Sequence, residues 1–222
     1  RTVGQRVGLQ SQLSGRADVA GTLRGTIRAP ELVAQISARN GALGPFPFDA
    51  AFGTVQISPT RIATPGLRLR EGAGRYEVAG SLRWNGGGRF DLTVRADDVP
   101  AQHLLNVAEV PLDLQGTVRG SIHLSGPVQR PQLSGAIELT SGRVEGQRVD
   151  RAEAEFRWTG THLLLDRAVA SVNSSSVIAR GSISRGGALS IAFSAADFRL
   201  RDAAVLHNDV VDIDGTVDLD GT

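Results

Sequence analysis

The chain repeats itself, and that repeat limits what it can fold into more than any other feature. Displaced by about 101 residues, Gly15 falls on Gly116, Pro30-Glu31-Leu32 on Pro131-Gln132-Leu133, Gly41 on Gly142, and Gly80-Ser81-Leu82 on Gly181-Ser182-Ile183. Ala96-Asp97 meets Ala196-Asp197, and Leu112-Asp113-Leu114-Gln115-Gly116-Thr117-Val118 matches Val211-Asp212-Ile213-Asp214-Gly215-Thr216-Val217. The expected organisation is a first unit with its connection at 1–111, a second unit at 112–210, and the start of a third at 211–222. Repeats of this kind bury their apolar side by stacking on their neighbours, so they build arrays.

Within each unit the period is two. In 13–28, Leu13, Ala17, Val19, Leu23 and Ile27 share one side while Ser14, Arg16, Asp18, Thr22, Arg24 and Arg28 share the other, the pattern of a strand with one wet face. The same alternation recurs at Tyr76, Val78, Leu82 and Trp84, at Phe90, Leu92 and Val94, and later at 112–124, 152–158, 189–195 and 211–219. Turns are expected at Ala29-Pro30, Arg39-Asn40-Gly41, Asn85-Gly86-Gly87-Gly88, Ser125-Gly126-Pro127 and Arg185-Gly186-Gly187. Each unit reads as a meander of five or six strands followed by a less alternating connection, at 97–110 and 197–210. A short helix is expected at 100–105.

Composition excludes several functions. Net charge is +1, from 24 basic residues, all of them arginine, and 23 acidic ones spread along the chain, so no nucleic-acid partner is expected. Without cysteine there is no disulfide, thiolate metal site or thiol nucleophile. Methionine is absent too, and a chain beginning at Arg1 without one reads as an interior piece of a longer protein. No stretch reaches the ~18 apolar residues that a membrane-spanning helix requires.

Catalytic constellations are missing, and neither cofactor nor enzymatic activity is expected. His103, His123, His162 and His207 are scattered without metal-ligand spacing and read as surface or turn residues. Gly72-Ala73-Gly74 lacks the third glycine of a dinucleotide loop and reads as a turn, and Asn173-Ser174-Ser175 fits a glycosylation sequon of a kind common by chance. The aspartates at 209, 212, 214, 218 and 220 suggest calcium, but from Asp212 they alternate with Ile213, Val217 and Leu219, which places them on a solvated strand face. The apolar stripe remains. By pattern alone its usual fate is a self-filled sandwich, barrel or solenoid, and the less usual one is an open groove. Aromatic residues make up only 5% of the chain, and glycine and alanine recur on the apolar side, which would give such a groove a smooth lining.

The phrases Gly116-Thr117-Val118-Arg119-Gly120-Ser121-Ile122-His123-Leu124-Ser125-Gly126 and Pro131-Gln132-Leu133-Ser134-Gly135-Ala136-Ile137-Glu138-Leu139, with Ala79-Gly80-Ser81-Leu82, resemble those of TamB/AsmA-like proteins. The resemblance covers nearly the whole chain, twice. The first copy departs from it with Val33-Ala34 where the second has Ser134-Gly135. It implies an all-β fold, an elongated, curled antiparallel sheet (a β-taco or half-pipe) of tandem repeats of roughly a hundred residues with an apolar concave face. It also implies a bacterial envelope protein, anchored in the inner membrane and crossing the periplasm toward the outer membrane. There the family is linked to phospholipid movement and, with an outer-membrane barrel of the TamA type, to outer-membrane protein assembly.

The favoured expectation is a non-enzymatic groove that shields phospholipid acyl chains between the two membranes. Exposing an acyl chain to water costs about 0.8 kcal/mol per methylene, roughly 12 kcal/mol for sixteen carbons, and an apolar groove removes most of that. The expected lining is Val19, Leu23, Ile27, Tyr76, Val78, Leu82, Trp84, Phe90, Leu92, Leu114, Val118, Ile122, Phe156, Trp158, Ile191 and Phe193. Head groups are expected in solvent at the groove mouth, near arginines that the pattern does not single out. The alternatives are a chaperone or scaffold binding unfolded outer-membrane strands by β-addition, and a closed solenoid with a structural role.

Overall fold

The computed structural model describes residues 13–43, 46–103, 113–144, 147–173, 175–184, 188–199 and 216–221. They divide into two compact units, one formed by Arg1–Asp98 with Ile122–Pro131 and the other by Val99–Ser121 with Gln132–Thr222. Both are almost wholly β.

The first unit holds β1 (Leu13–Thr26), β2 (Ala29–Leu43), β3 (Phe46–Ser58), β4 (Arg61–Glu71), β5 (Gly74–Arg83) and most of β6 (Arg89–Pro100). Each strand is antiparallel to the next, in sequence order. The end of β7 (Leu114–Pro127) lies beside β6, with His123 3.8 Å from Asp91 and 3.3 Å from Thr93 Oγ1. Among the described residues β1 pairs only with β2. The sheet of this unit is therefore open.

The second unit starts from the first part of β7 and continues through β8 (Gln132–Val144), β9 (Gln147–Trp158), β10 (His162–Val172), β11 (Ser175–Ser184), β12 (Leu189–Arg199) and β13 (Thr216–Gly221). From β8 onward every neighbour is again antiparallel and sequential, and β13 pairs with β12 alone among the described residues. This sheet does not close into a barrel either.

The backbone itself repeats at the offset seen in the sequence. Four pairs of left-handed φ angles recur at that offset: Gly15 (116°) with Gly116 (122°), Gly25 (91°) with Gly126 (92°), Asn40 (50°) with Ser141 (51°), and Gly72 (57°) with Asn173 (53°). The register of β4 on β5 shifts between Thr64 and Leu67, and that of β10 on β11 between Leu165 and Ala168. Such bulges bend a strand and add twist, which curls a sheet. A turn clamp repeats as well. The Asp49 carboxylate accepts the Gly72 N–H at 2.7 Å, and Asp150 accepts that of Asn173 at 2.6 Å.

Several turns fall elsewhere than expected. The first hairpin turns at Ile27-Arg28, one step before Ala29-Pro30, where Thr26 Oγ1 accepts the Ala29 N–H at 3.2 Å. Arg39-Asn40-Gly41 is not a turn: β2 runs through it, and Gly41 is needed because the Phe48 ring packs directly over it. Likewise β7 runs through Ser125-Gly126-Pro127 and turns at 128–130. Gly72-Ala73 is a turn and Asn85–Gly87 a single 3-10 turn, as the glycines indicate. β6 extends to Pro100, further than its weak alternation implies, because Val99 is completely buried. Helical geometry follows at 101–103, while 104–112, 185–187 and 200–215 lie outside the described residues.

Candidate functional site

Side chains of directly opposed residues in an antiparallel pair project from the same face of the sheet. Following the register across the first unit therefore reads out whole rows. One row is Val19, Ile36, Gly53, Leu67, Val78 and Val94, and another is Leu23, Leu32, Ile57, Ile62, Leu82 and Phe90. A third is Ala17, Ala38, Ala51, Leu69, Tyr76 and Ala96, and Gly80 opposes Leu92 between them. Every residue in these three rows is apolar except the hydroxyl of Tyr76. The alternate positions form the other face, for example Asp18, Ser37, Phe52, Arg68, Glu77 and Arg95.

The second unit builds the same face from equivalent positions. Its rows are Leu133, Trp158, Leu163 and Ile183; Gly135, Phe156, Leu165, Gly181 and Ile191; Ile137, Ala154, Ala168, Ala179 and Phe193; and Leu139, Ala152, Ala170, Val177 and Ala195. Volumes trade within the shared layout: Gly53 stands where the second unit has Ala154, and Val55 where it has Phe156.

Neither face is a dry core. In each unit the strands pack substantially only on their sequence neighbours, so no second sheet lies over the apolar rows among the described residues. Small residues at the centre are buried, with Ala34, Ala51 and Val55 no more than 7% exposed. Larger ones around them stay half-exposed: Ile183 and Phe193 are 38% and 41% accessible, and Val19 and Leu23 on the edge strand 62% and 70%. A self-filled interior would bury such side chains.

Of the expected lining, Val19, Leu23, Tyr76, Val78, Leu82, Phe90 and Leu92 come together on the apolar face of the first unit. Ile122 joins them by alternation, since its neighbour His123 faces Asp91 on the polar side. Phe156, Trp158, Ile191 and Phe193 share the apolar face of the second unit, where Leu114 and Val118 pack with Ile137, Leu139 and Ala152. Ala101, at the start of the connection, closes over Val118 and Leu139, and the Gln102 side-chain carbonyl accepts the Leu114 N–H at 3.1 Å. Part of this face is thus covered. Ile27 lies in the first hairpin turn, fully exposed, and Trp84 follows β5, its indole N–H donating to the Pro59 carbonyl. Both stand beyond the strands. The sequence reading missed Ile36, Leu67 and Leu69, which the apolar spacing of β2 and β4 around a bulge conceals.

The polar faces differ between units. In the first, a wide depression of about 890 Å³ is lined by Arg39, Arg68, Arg70, Arg75 and Arg95 interleaved with Asp49, Glu77 and Asp97. In the second, ion pairs run across the strands, from Glu138 to Arg119 at 2.7 Å and to Arg151 at 3.0 Å and from Arg157 to both oxygens of Asp166, while Arg151 also pairs with Glu153 along β9 at 2.6 Å. Hydrogen bonding from Arg119 holds the Glu138 carboxyl below the usual range, and Arg157 does the same for Asp166. Burial, then the charge and hydrogen bond of Glu71, push the Tyr76 phenol up to about 12.

Among the described residues, no three histidine, aspartate or glutamate side chains converge as metal ligands, and no helix is long and apolar enough to cross a membrane. Of the clustered aspartates, those at 209, 212 and 214 lie outside the described residues, and only the backbone of Asp218 and Asp220, in β13, is described.

Fold and site together define a class: a repetitive antiparallel β-protein whose units each leave one apolar face incompletely covered. Residues 66–165, 100 of the 222, match the family described as the TamB C-terminal domain, which supports assigning the chain to the TamB/AsmA-like proteins. That family is a transport and assembly module of the bacterial envelope and not a known enzyme family. No curated protein and no solved structure matches the chain significantly.

Proposed function

We propose that the apolar face of each unit shields phospholipid acyl chains in transit between the inner and outer membranes, as a segment of a longer, inner-membrane-anchored periplasmic protein. The observation that carries this reading is the half-exposed apolar rows, laid out alike in both units. An acyl chain covering them would be spared roughly 0.8 kcal/mol per methylene of contact with water. Equivalent rows would also hold it about equally well at successive positions, without a deep polar trap. Domain boundaries near 111 and 210 fit the same repeat, and an outer-membrane barrel of the TamA type is the partner the family suggests.

The test compares two substitutions. Leu82→Asp, on the half-exposed face, should leave the chain folded by circular dichroism but remove phospholipid that co-purifies with it. Val118→Asp, where the wild-type side chain is 3% exposed, should unfold the second unit by burying an unpaired charge. A folded Leu82→Asp chain that retains wild-type lipid content would rule the groove out.

One observation favours a second reading. The half-exposed apolar rows also suit the alternating apolar side chains of an unfolded outer-membrane strand. Capture of barrel-derived peptides by a lipid-free chain would support it.

A further inference from the structure

The strand register defines a row of like charges on the face of the first unit that points away from the apolar rows. Arg61 opposes Arg83, and Arg83 opposes Arg89, on three successive strands. Opposed side chains have Cβ atoms about 4.5–5.5 Å apart, and like charges placed so repel. All three are exposed, and among the described residues none forms an ion pair or a side-chain hydrogen bond. The fold does not require this arrangement, since the equivalent positions of the second unit are His162, Ser184 and Ala188 on strands that pair in the same way.

Arg83 and Arg89 line a pocket of about 260 Å³ with Ser81, Asp91 and Ser125, and Phe90, between Arg89 and Asp91 in β6, completes the wall. The volume equals that of roughly eight waters at about 30 Å³ each, room for a phosphate and one small ring. Ser81 is 4% exposed, and among the described residues its hydroxyl makes no hydrogen bond. No fully buried side-chain polar atom among those residues lacks a partner, so this hydroxyl faces the pocket that Ser81 lines. Polar groups so nearly buried are as a rule hydrogen-bonded, and a free donor beside unpaired cations is a place for an anion's oxygen. Asp91 is the one carboxylate in the lining. A carboxylate accepts from hydroxyls and repels phosphate, so the pocket suits a ligand that carries both groups on different atoms.

We propose that this pocket binds a phosphorylated sugar, with Arg83 and Arg89 on the phosphate and Asp91 accepting hydrogen bonds from ring hydroxyls. Guanidinium groups match phosphate oxygens with paired N–H donors, and the Ser81 hydroxyl donates to a third oxygen. Arg61, next in the row, adds positive potential without lining the pocket. The bound anion also relieves the repulsion between the opposed arginines. This site lies on the polar face and stands independently of the groove on the other side.

The experiment titrates the intact chain calorimetrically with mannose 6-phosphate, mannose, inorganic phosphate and an oligomannose whose terminal residue carries the 6-phosphate. Mannose 6-phosphate should bind about tenfold tighter than inorganic phosphate at low salt, and both should weaken as salt screens the exposed arginines. Mannose should show no binding. R83Q/R89Q should abolish binding of both phosphates, and Ser81→Ala should weaken it about fivefold with the fold intact by circular dichroism. Asp91→Ala should erase the preference for the sugar phosphate over inorganic phosphate. A preference absent from the wild-type chain, or unchanged in Asp91→Ala, overturns the sugar assignment. A wild-type chain that binds neither phosphate, or a folded R83Q/R89Q chain that binds both as before, overturns the site itself. The oligomannose separates two sources of the same chemistry: affinity equal to that of the monosaccharide assigns the site to the phosphorylated end of a longer saccharide, and exclusion assigns it to a free sugar phosphate.

Discussion

The apolar faces of the two units are near copies, whereas their polar faces have little in common. Ile36, Gly53, Leu67 and Val78 become Ile137, Ala154, Ala168 and Ala179, all still apolar. On the opposite side, Phe52, Arg68 and Glu77 become Glu153, Val169 and Ile178. The left-handed residues, the bulge and the aspartate clamp on the turn repeat with the apolar side. What is held constant is thus the curl of the backbone and the lining it presents, while solvent tolerates almost anything on the other surface. Surface ion pairs contribute little to stability, which is why they need not recur.

The largest effect that would break this comparison comes from the shared backbone. Gly116 has φ near 122°, and a Cβ there would sit 2.8 Å from Gly142 Cα. Gly116→Val should cost about 3 kcal/mol or more, read by urea denaturation, because strain and overlap add. Gly15→Val meets the same obstacle at 2.7 Å from Gly41 Cα but lies on the edge strand, so its cost should be smaller. Equal costs would mean that the equivalent glycines do not differ in context.

A smaller effect belongs to the first unit alone. Tyr76 is the single tyrosine, so ultraviolet titration reads it without interference. Its folded pKa of about 12 lies above the unfolded value near 10, so it contributes stability that is complete below pH 10 and is lost as pH rises through that window. Glu71→Gln should bring the titration down toward the ordinary value. The smallest effect belongs to the second unit. Glu138 and Asp166 have depressed pKa values, so their contribution is present above the ordinary carboxylate range and disappears as pH falls through the depressed values. Glu138→Gln should leave the melting temperature nearly unchanged at pH 7 and reduce its fall in acid.

Much of this was legible beforehand, for a physical reason. Period-two alternation decides which side of a strand is wet, so Val78, Leu82, Phe90 and Phe156 were assigned to one face without coordinates. Glycine was less informative. Gly41 reads as a turn but makes room for the Phe48 ring, since a sequence does not distinguish a glycine needed for its φ from one needed for space. Ile27 was placed on a strand because alternation continues into the turn, and Trp84 because it keeps phase with Leu82; in both cases the local hydrogen bonds end the strand first. Whether the face would be covered was beyond reach, because closure depends on tertiary layers that no local pattern encodes.

The two tryptophans are placed so that the molecule carries its own optical reporters. Trp158 sits among Leu133 and Leu163 on the apolar face of the second unit, and Trp84 is tied by its indole N–H to a hairpin carbonyl in the first. Brominated acyl chains lying on the apolar rows would quench the emission of Trp158 far more than that of Trp84. Comparing Trp84→Phe with Trp158→Phe, each of which leaves a single emitter, turns that difference into a readout of whether the face is occupied.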